Sequence, residues 1–103
     1  MKIPSKFKLF GQTINVLKND SLAFANGTIG EAHIGKNKIV LQRSTKDYKM
    51  TKEQEEATYF HELTHMILFL MGKEMLAQDE EFVSIFSNLL HQAIVSAEYN
   101  KED

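Results

Sequence analysis

The feature that most constrains this chain is a pair of histidines four residues apart, His61 and His65, with Glu62 directly after the first. Residues four apart lie on one face of an α-helix, so both imidazoles can bind one metal ion at about 2 Å. Glu62 lies roughly 100° around the helix, where its carboxylate can reach a water on the metal without binding the metal. The spacing, which is the H-E-x-x-H pattern of zinc hydrolases, predicts a metal-binding helix with a general base.

The residues around this motif predict a long and buried helix. Thr51 and Gln54 have the spacing of a capping box, which starts the helix two or three turns before His61. An unbroken apolar run, residues 66–71, follows the second histidine, and Gly72 provides a stop. We therefore predict a helix over residues 51–71 that is packed inside the protein. The alternative is a core helix whose histidines match the metal-binding spacing by coincidence.

Composition limits the class of protein and the kinds of metal site. The 103 residues are enough for a single domain, 1–103, with one core, and 43% hydrophobic residues are typical of a globular protein. A net charge of -2 gives no electrostatic reason to expect nucleic acid or an acidic membrane as a partner. Because the sequence has no cysteine, disulfide bonds and thiolate metal sites are excluded, and any metal must be bound by His, Asp or Glu.

Neither the N-terminus nor the apolar runs predict a membrane segment. Residues 1–8 are basic and lack the apolar stretch of a signal peptide. The longest apolar run, residues 66–71, is far shorter than the ~20 residues that cross a bilayer. We therefore expect a cytoplasmic protein without a membrane partner.

The first 45 residues predict a small sheet. Residues 6–17 favour β structure and form either a hairpin or one bulged strand around Gly11. Residues 28–42 predict a second hairpin that turns near residues 35–37. We expect the sheet to be largely antiparallel and to pack against the helices that follow. His33 lies in this region outside any ligand spacing, so we interpret it as an ordinary surface or sheet histidine.

A second helix is predicted over residues 80–98, and its start can supply a further metal ligand. Apolar residues recur there at helical spacing: Phe82, Val83, Ile85, Phe86, Leu89, Leu90, Ala93, Ile94 and Ala97. A catalytic zinc site usually has three protein ligands and a water, of which the histidines supply two. The connection over residues 73–79 is long enough to bring the chain back to the metal.

The candidates for the third ligand are downstream of the motif: Glu74, Asp79, Glu80, Glu81 and His91. His91 lies about 16 Å beyond Glu80 along the helix, so the two cannot bind the same ion, and we expect His91 on the helix surface or in a packing contact. Acidic residues at a helix start also stabilise the helix dipole. We favour Glu80, because Ser84 and Ser87 continue its face and allow close helix packing, and keep Glu81 as the alternative.

With His61-Glu62-Leu63-Thr64-His65 and a glutamate at the start of the next helix, the chain resembles the gluzincins, the thermolysin-like metallopeptidases. Its size is similar to the minimal members, the minigluzincins, and to small metallopeptidases encoded by phages and mobile elements. The resemblance covers residues 51–92, and before them only a hairpin-bearing sheet. It implies a zincin-like α+β fold in which an edge strand, residues 38–42 or 29–34, binds an extended peptide.

The resemblance also implies an activity, zinc-dependent hydrolysis of a protein or peptide substrate. Zinc would be held by His61, His65 and Glu80 or Glu81, with Glu62 as the general base. The chain departs from the family at Ile85, where a gluzincin aspartate orients the first histidine under the Glu81 alignment. A further departure is the absence of an evident oxyanion stabiliser, for which the candidates are Tyr48, Tyr59 and Tyr99.

Two alternatives to a general zinc peptidase follow from the same residues. One is a peptidase with a narrow substrate, such as a single repressor, because so small a domain has little wall for a deep cleft. The other is a non-catalytic module in which zinc stabilises a small core. Histidine and carboxylate ligands also accept manganese, cobalt or iron, although zinc is the expected metal.

Overall fold

The computed structural model describes residues 1–101, which contain four strands and four helices in an α+β arrangement. The predicted fold class is therefore confirmed at this level. In chain order the elements are β1 (Lys6–Leu9), β2 (Gln12–Asn19), α1 (Leu22–Asn26), β3 (Gly30–His33), β4 (Lys38–Gln42), α2 (Lys52–Leu70), α3 (Glu74–Ala77) and α4 (Glu80–Ser96).

The strands form one mixed sheet in the order β1-β2-β4-β3. Both predicted hairpins are present, because β1 pairs antiparallel with β2 and β3 pairs antiparallel with β4. The central pair is different, since β2 and β4 run parallel with Val16 opposite Ile39. Parallel neighbours need a crossover connection, and here α1 and β3 provide it. The expectation of a largely antiparallel sheet therefore missed the parallel pair at its centre.

The first turn decides between the two alternatives for residues 6–17. Leu9 pairs with Gln12, and the two residues between them, Phe10 and Gly11, have φ values of 50° and 74°. Positive φ at both central residues is typical of the type I′ turn, whose twist matches that of a two-residue hairpin. The segment is therefore a hairpin and not a bulged strand.

Helix α2 packs against the sheet as its sequence predicted. The capping box is present, because the Thr51 hydroxyl accepts from the Gln54 backbone N–H at 3.1 Å while the Gln54 side chain accepts from the Thr51 N–H at 2.8 Å. Tyr59, Phe60 and Met66 are buried against four strand residues, Ile14, Val16, Ile39 and Leu41. The helix therefore forms one half of the core. None of the helices within residues 1–101 has the length and apolarity that a membrane span requires.

Helix α4 packs against α2 through the face that carries Glu80. Val83, Ser87 and His91 are buried on this face, whereas Ile85 is more than half exposed. Between the two helices lies α3, a single turn that the sequence analysis treated as part of a short connection. Its last residue, Ala77, packs with Leu68 and Val83 in a second small apolar cluster. Four residues are too few to show helical periodicity, which is why this element was not predicted.

A buried hydrogen bond between the helices gives His91 its role. Its Nε2 lies 2.9 Å from Oε1 of Glu56 on α2, and both side chains are buried. Of the two expectations for His91, the packing contact is therefore correct. The other carboxylate oxygen of Glu56 accepts from the amino group of Met1 at 3.0 Å.

Replacing Glu56 with alanine is expected to lower the free energy of unfolding at pH 7 by about 1–3 kcal/mol, because buried His91 would lose its partner. The hydrogen bond from His91 holds the pKa of the Glu56 carboxyl below its usual value. A lowered folded-state pKa stabilises the protein above the unfolded-state pKa, about 4.3 for glutamate, and this stabilisation is lost as the pH falls through the folded-state value. Urea unfolding at pH 7 and pH 3 measures both effects.

The matched control for this experiment is Glu53→Ala, which removes an exposed carboxylate from the same helix. We expect the Glu56→Ala variant and the wild type to differ at pH 7 and to converge toward pH 3. A difference of the same size at both pH values would show that the ionised form of the Glu56 carboxylate is not what stabilises the fold.

Candidate metal centre

The residues expected to bind a metal lie together, although they come from two helices. His61 and His65 lie on adjacent turns of α2, and their Nε2 atoms are 3.2 Å apart. Glu80, the first residue of α4, places Oε2 3.2 Å from His61 Nε2 and Oε1 3.0 Å from His65 Nε2. One donor atom from each residue can be chosen so that all lie within 4.8 Å of one another. The three side chains thus converge on one small volume.

The separations within this cluster fit a single zinc ion. Zinc binds imidazole nitrogen and carboxylate oxygen at about 2.0–2.2 Å with tetrahedral angles, so neighbouring ligand atoms lie about 3.3 Å apart. The observed separations of 3.0 and 3.2 Å are close to this value. Two imidazoles and one carboxylate also form the three-ligand set of a catalytic site, which leaves a fourth position for water. Both the spacing and the donor chemistry are therefore compatible with zinc.

A backbone carbonyl fixes the orientation of His65. Its Nδ1 lies 2.6 Å from the carbonyl oxygen of Ala77 at the end of α3. Because a carbonyl can only accept, Nδ1 is the donor in this bond, and Nε2 is the ring nitrogen that faces His61 and Glu80. This arrangement is common around metal-binding histidines, where the outer hydrogen bond holds the ring in place. The unpredicted helix α3 therefore has a role in the site.

The start of α4 separates the remaining candidates for the third ligand. The Asp79 carboxylate caps the helix by accepting from the Phe82 backbone N–H at 3.1 Å. Glu81 is exposed and lines a different cavity with Phe82 and Ile85. Glu74 lies on the wall of a cleft next to His65 but outside the cluster of donors. The structure thus brings Glu80 to the histidines, as the helical face predicted, and turns Glu81 away.

Glu62 is buried next to this cluster but is not one of its three donors. Burial raises the pKa of its carboxyl to about 7, an effect that nearby Glu80 and Glu31 reinforce, whereas His65 and a hydrogen bond from the Ala32 backbone lower the pKa. A bound metal dication would also lower it. A carboxyl group that changes its protonation state near neutral pH can accept a proton and then donate it. This is the property expected of a general base in hydrolysis.

The strand nearest to Glu62 is an edge of the sheet. Of the two segments proposed as the peptide-binding edge, residues 38–42 are ruled out, because β4 lies between β2 and β3. Residues 29–34 contain β3, which is an edge strand. A cavity of about 440 Å³ lies at its Ile29 end, and a cleft of about 460 Å³ lies at its Ile34 end. The edge strand therefore has one cavity beside each of its ends.

The cavity at the Ile29 end also distinguishes the three tyrosines considered as oxyanion stabilisers. Tyr48 lines that cavity, and its ring meets Phe24 edge-on with the centroids 5.8 Å apart. Tyr59 is buried in the core, and Tyr99 is 81% exposed beyond the end of α4. Among the three, Tyr48 is therefore the one that shares a cavity with Ile29, the residue directly before β3.

Gly30 allows β3 to approach α2 at the level of Glu62. A Cβ atom at this position would lie 2.6 Å from Thr58 Cγ2 and 3.0 Å from Glu62 Cγ and Oε2. Contacts below 3.0 Å require the neighbouring atoms to move. The sequence carried a signal for this contact, because an isolated glycine in a strand often marks a close backbone approach. Sequence reasoning did not use it.

Replacing Gly30 with alanine is expected to destabilise the protein by about 1–3 kcal/mol, because the added methyl group overpacks the contact between β3 and α2. It should also displace the Glu62 carboxylate and lower any hydrolytic activity, while zinc binding is kept. Thermal unfolding and zinc content of the purified variant measure these effects. The second variant to compare is Gly30→Ala combined with Thr58→Ser, which removes the Thr58 methyl group and keeps its hydroxyl bond to the Gln54 carbonyl.

We expect the double variant to regain most of the lost stability but not the activity, since the contact with Glu62 persists. Unchanged stability of Gly30→Ala would show that the strand can move away from the helix without cost.

Comparison of the chain with models of protein families, with curated proteins and with solved structures gave no match. The geometry and chemistry of the residues around His61, Glu62, His65 and Glu80 are therefore the evidence for function.

Proposed function

We propose that this protein is a zinc-dependent peptidase, with His61, His65 and Glu80 as the metal ligands and Glu62 as the general base. The observation that supports the proposal best is the convergence of three donors from two helices beside a buried carboxyl group that is not one of them. Structural metal sites usually have four protein ligands, whereas this set has three and leaves one position for water. A base next to such a position is what hydrolysis requires.

The proposed mechanism assigns the proton transfers to Glu62. When bound, zinc supplies a Lewis acid that polarises the scissile carbonyl group and lowers the pKa of water. Glu62 accepts a proton from the attacking water and delivers it to the nitrogen of the leaving amine. The close approach of Gly30 on β3 brings the edge strand against the Glu62 carboxylate and shields it from solvent.

The proposed substrate is an extended peptide or protein segment that pairs with β3. The outer side of an edge strand presents unpaired N–H and C=O groups, which an added strand can satisfy. Because β3 has only four residues, backbone pairing supplies few hydrogen bonds. Selectivity must then come from side chains that enter the cavities beside the strand, which favours a narrow range of substrates.

The experiment that tests this function is hydrolysis of a diverse peptide mixture by the zinc-loaded protein, with products identified by mass spectrometry. We expect cleavage that a chelator stops and that added zinc restores. Cleavage that is insensitive to chelator would identify a contaminating peptidase. Zinc binding without cleavage of any peptide or protein would favour the non-catalytic alternative.

That alternative, a zinc-stabilised module, has one observation in its favour. The three donors join α2 to α4, so a bound ion would link two helices. Against it, Val83, Ser87 and His91 are buried on the face between these helices, so side-chain packing also joins them. We therefore expect a chelator to lower the melting temperature without unfolding the protein at 25 °C. Complete unfolding on removal of zinc would favour the structural role.

A further inference from the structure

The cleft beside His65 combines an apolar wall with several carboxylates. Its volume is about 460 Å³, and its acidic lining residues are Glu31, Glu62 and Glu74. Ile34, Phe69 and Ala77 provide apolar surface between them. Within residues 1–101, no lysine or arginine lines this cleft. The lining therefore suits a side chain with an apolar stem and a positive end.

The cleft is continuous with the proposed catalytic machinery, because Glu62 and His65 are among the residues that line it. A side chain that enters the cleft must therefore belong to a substrate residue close to the bond that is cut. The cavity at the other end of β3 differs, since Lys49 and Asp47 both line it and their charges oppose each other. The cleft beside His65 is thus the one whose lining is mainly acidic.

We propose that this cleft selects a lysine or arginine next to the scissile bond, with Glu31 and Glu74 as the residues that determine the selectivity. This inference depends on the peptidase function proposed above. The aliphatic part of the basic side chain would pack along Phe69 and Ile34, and its cationic end would lie near the two carboxylates. Glu62 is reserved for the proton transfers.

Glu31 is held in place and kept ionised by its neighbours. Its Oε2 accepts from Thr28 Oγ1 at 2.9 Å and from Asn26 Nδ2 at 3.1 Å, while His33 Nε2 lies 2.9 Å from Oε1. These hydrogen bonds, that from His33 foremost, lower the pKa of the Glu31 carboxyl. Glu31 lines the same cleft as Glu62. Glu31 therefore presents a fixed charge on the edge strand beside the site.

Glu74 lines the same cleft from another element. It is the first residue of α3, the same helix whose Ala77 carbonyl orients His65. The Glu74 side chain is exposed, so its carboxylate can turn toward a cation in the cleft. A carboxylate that lines the cleft can hydrogen-bond an ammonium or guanidinium group of a substrate.

The first test compares matched substrates. A peptide cleaved by the zinc-loaded protein is made with lysine, with uncharged norleucine and with glutamate at the residue that enters the cleft. We expect kcat/KM to be about tenfold higher for lysine than for norleucine, as charge-assisted hydrogen bonds would give, and lowest for glutamate. Glu31→Gln and Glu74→Gln should each reduce this ratio, and the ratio should fall with added salt. Glu53→Gln, an exposed change on α2, is the control that leaves it unchanged.

The second test measures binding without hydrolysis. The Glu62→Gln variant loaded with zinc binds the lysine and norleucine peptides labelled with a fluorophore, and anisotropy gives the two affinities. Tighter binding of the lysine peptide that disappears in the Glu31→Gln and Glu74→Gln backgrounds supports the inference. Cleavage of peptides with equal rates for lysine and norleucine would overturn the inference and leave the peptidase function standing. A zinc-loaded protein that neither cleaves nor binds any peptide would overturn both.

Discussion

Replacing Glu62 with glutamine is expected to lower the rate of peptide hydrolysis by about 10²- to 10⁴-fold, which is the usual contribution of a general base. Glutamine has nearly the same shape as glutamate, but it cannot take a proton from water. Because Glu62 is not one of the three converging donors, zinc content should not change. Initial rates and elemental analysis of the same preparation measure both quantities.

The outcome distinguishes between roles for Glu62. Loss of hydrolysis with zinc retained is the result expected of a base. Loss of both hydrolysis and zinc would mean that Glu62 contributes to metal binding or to the fold. Thermal unfolding of the zinc-free variant would distinguish these two contributions. Hydrolysis within about threefold of the wild type would remove Glu62 from the mechanism, since a general base contributes far more than that.

Replacing Glu80 with alanine is expected to weaken zinc binding by more than about 100-fold, the upper end of what the loss of an outer-shell hydrogen-bond partner costs. The reason is that two histidines alone would hold the ion. Glu81→Ala makes the same change of charge one residue further along α4, on a side chain that lines another cavity, and should alter the affinity by less than about threefold. Competition with a fluorescent zinc chelator measures both affinities.

The stability of these variants provides the control. The Glu80 side chain is 68% exposed, so its loss should leave the unfolding of the zinc-free protein nearly unchanged. Weaker zinc binding by Glu80→Ala at unchanged stability would therefore report a lost ligand. If Glu81→Ala showed the larger loss, the third ligand would be Glu81, and α4 would have to rotate on binding metal.

The parts of this protein that follow from its sequence are those set by local spacing. The capping box at Thr51 and Gln54 predicts where α2 begins, because its hydrogen bonds join residues three apart. The preference for Glu80 over Glu81 came from helical phase, and it agrees with the buried Ser87 and the exposed Ile85. Helical phase was informative because the apolar residues of α4 define one face over several turns.

Other features depend on contacts between distant segments, which local patterns do not encode. The parallel pairing of β2 and β4 depends on the path of the crossover, and alternation of apolar residues is the same for either strand direction. The carbonyl of Ala77 that orients His65 is backbone, so no residue type announces it. The buried pair of Glu56 and His91 joins residues 35 positions apart. Such pairings become visible only in the folded chain.

The central claim is that His61, His65 and Glu80 bind one zinc ion, and native mass spectrometry tests it most directly. The protein is purified without added metal, stripped with a chelator and titrated with zinc. We predict the mass of one zinc ion per 11.8 kDa chain for the wild type and no bound zinc for His65→Ala at the same zinc concentration. A wild-type chain that binds no zinc even in excess would contradict the proposal and leave α2 as a core helix whose histidines match the spacing by coincidence.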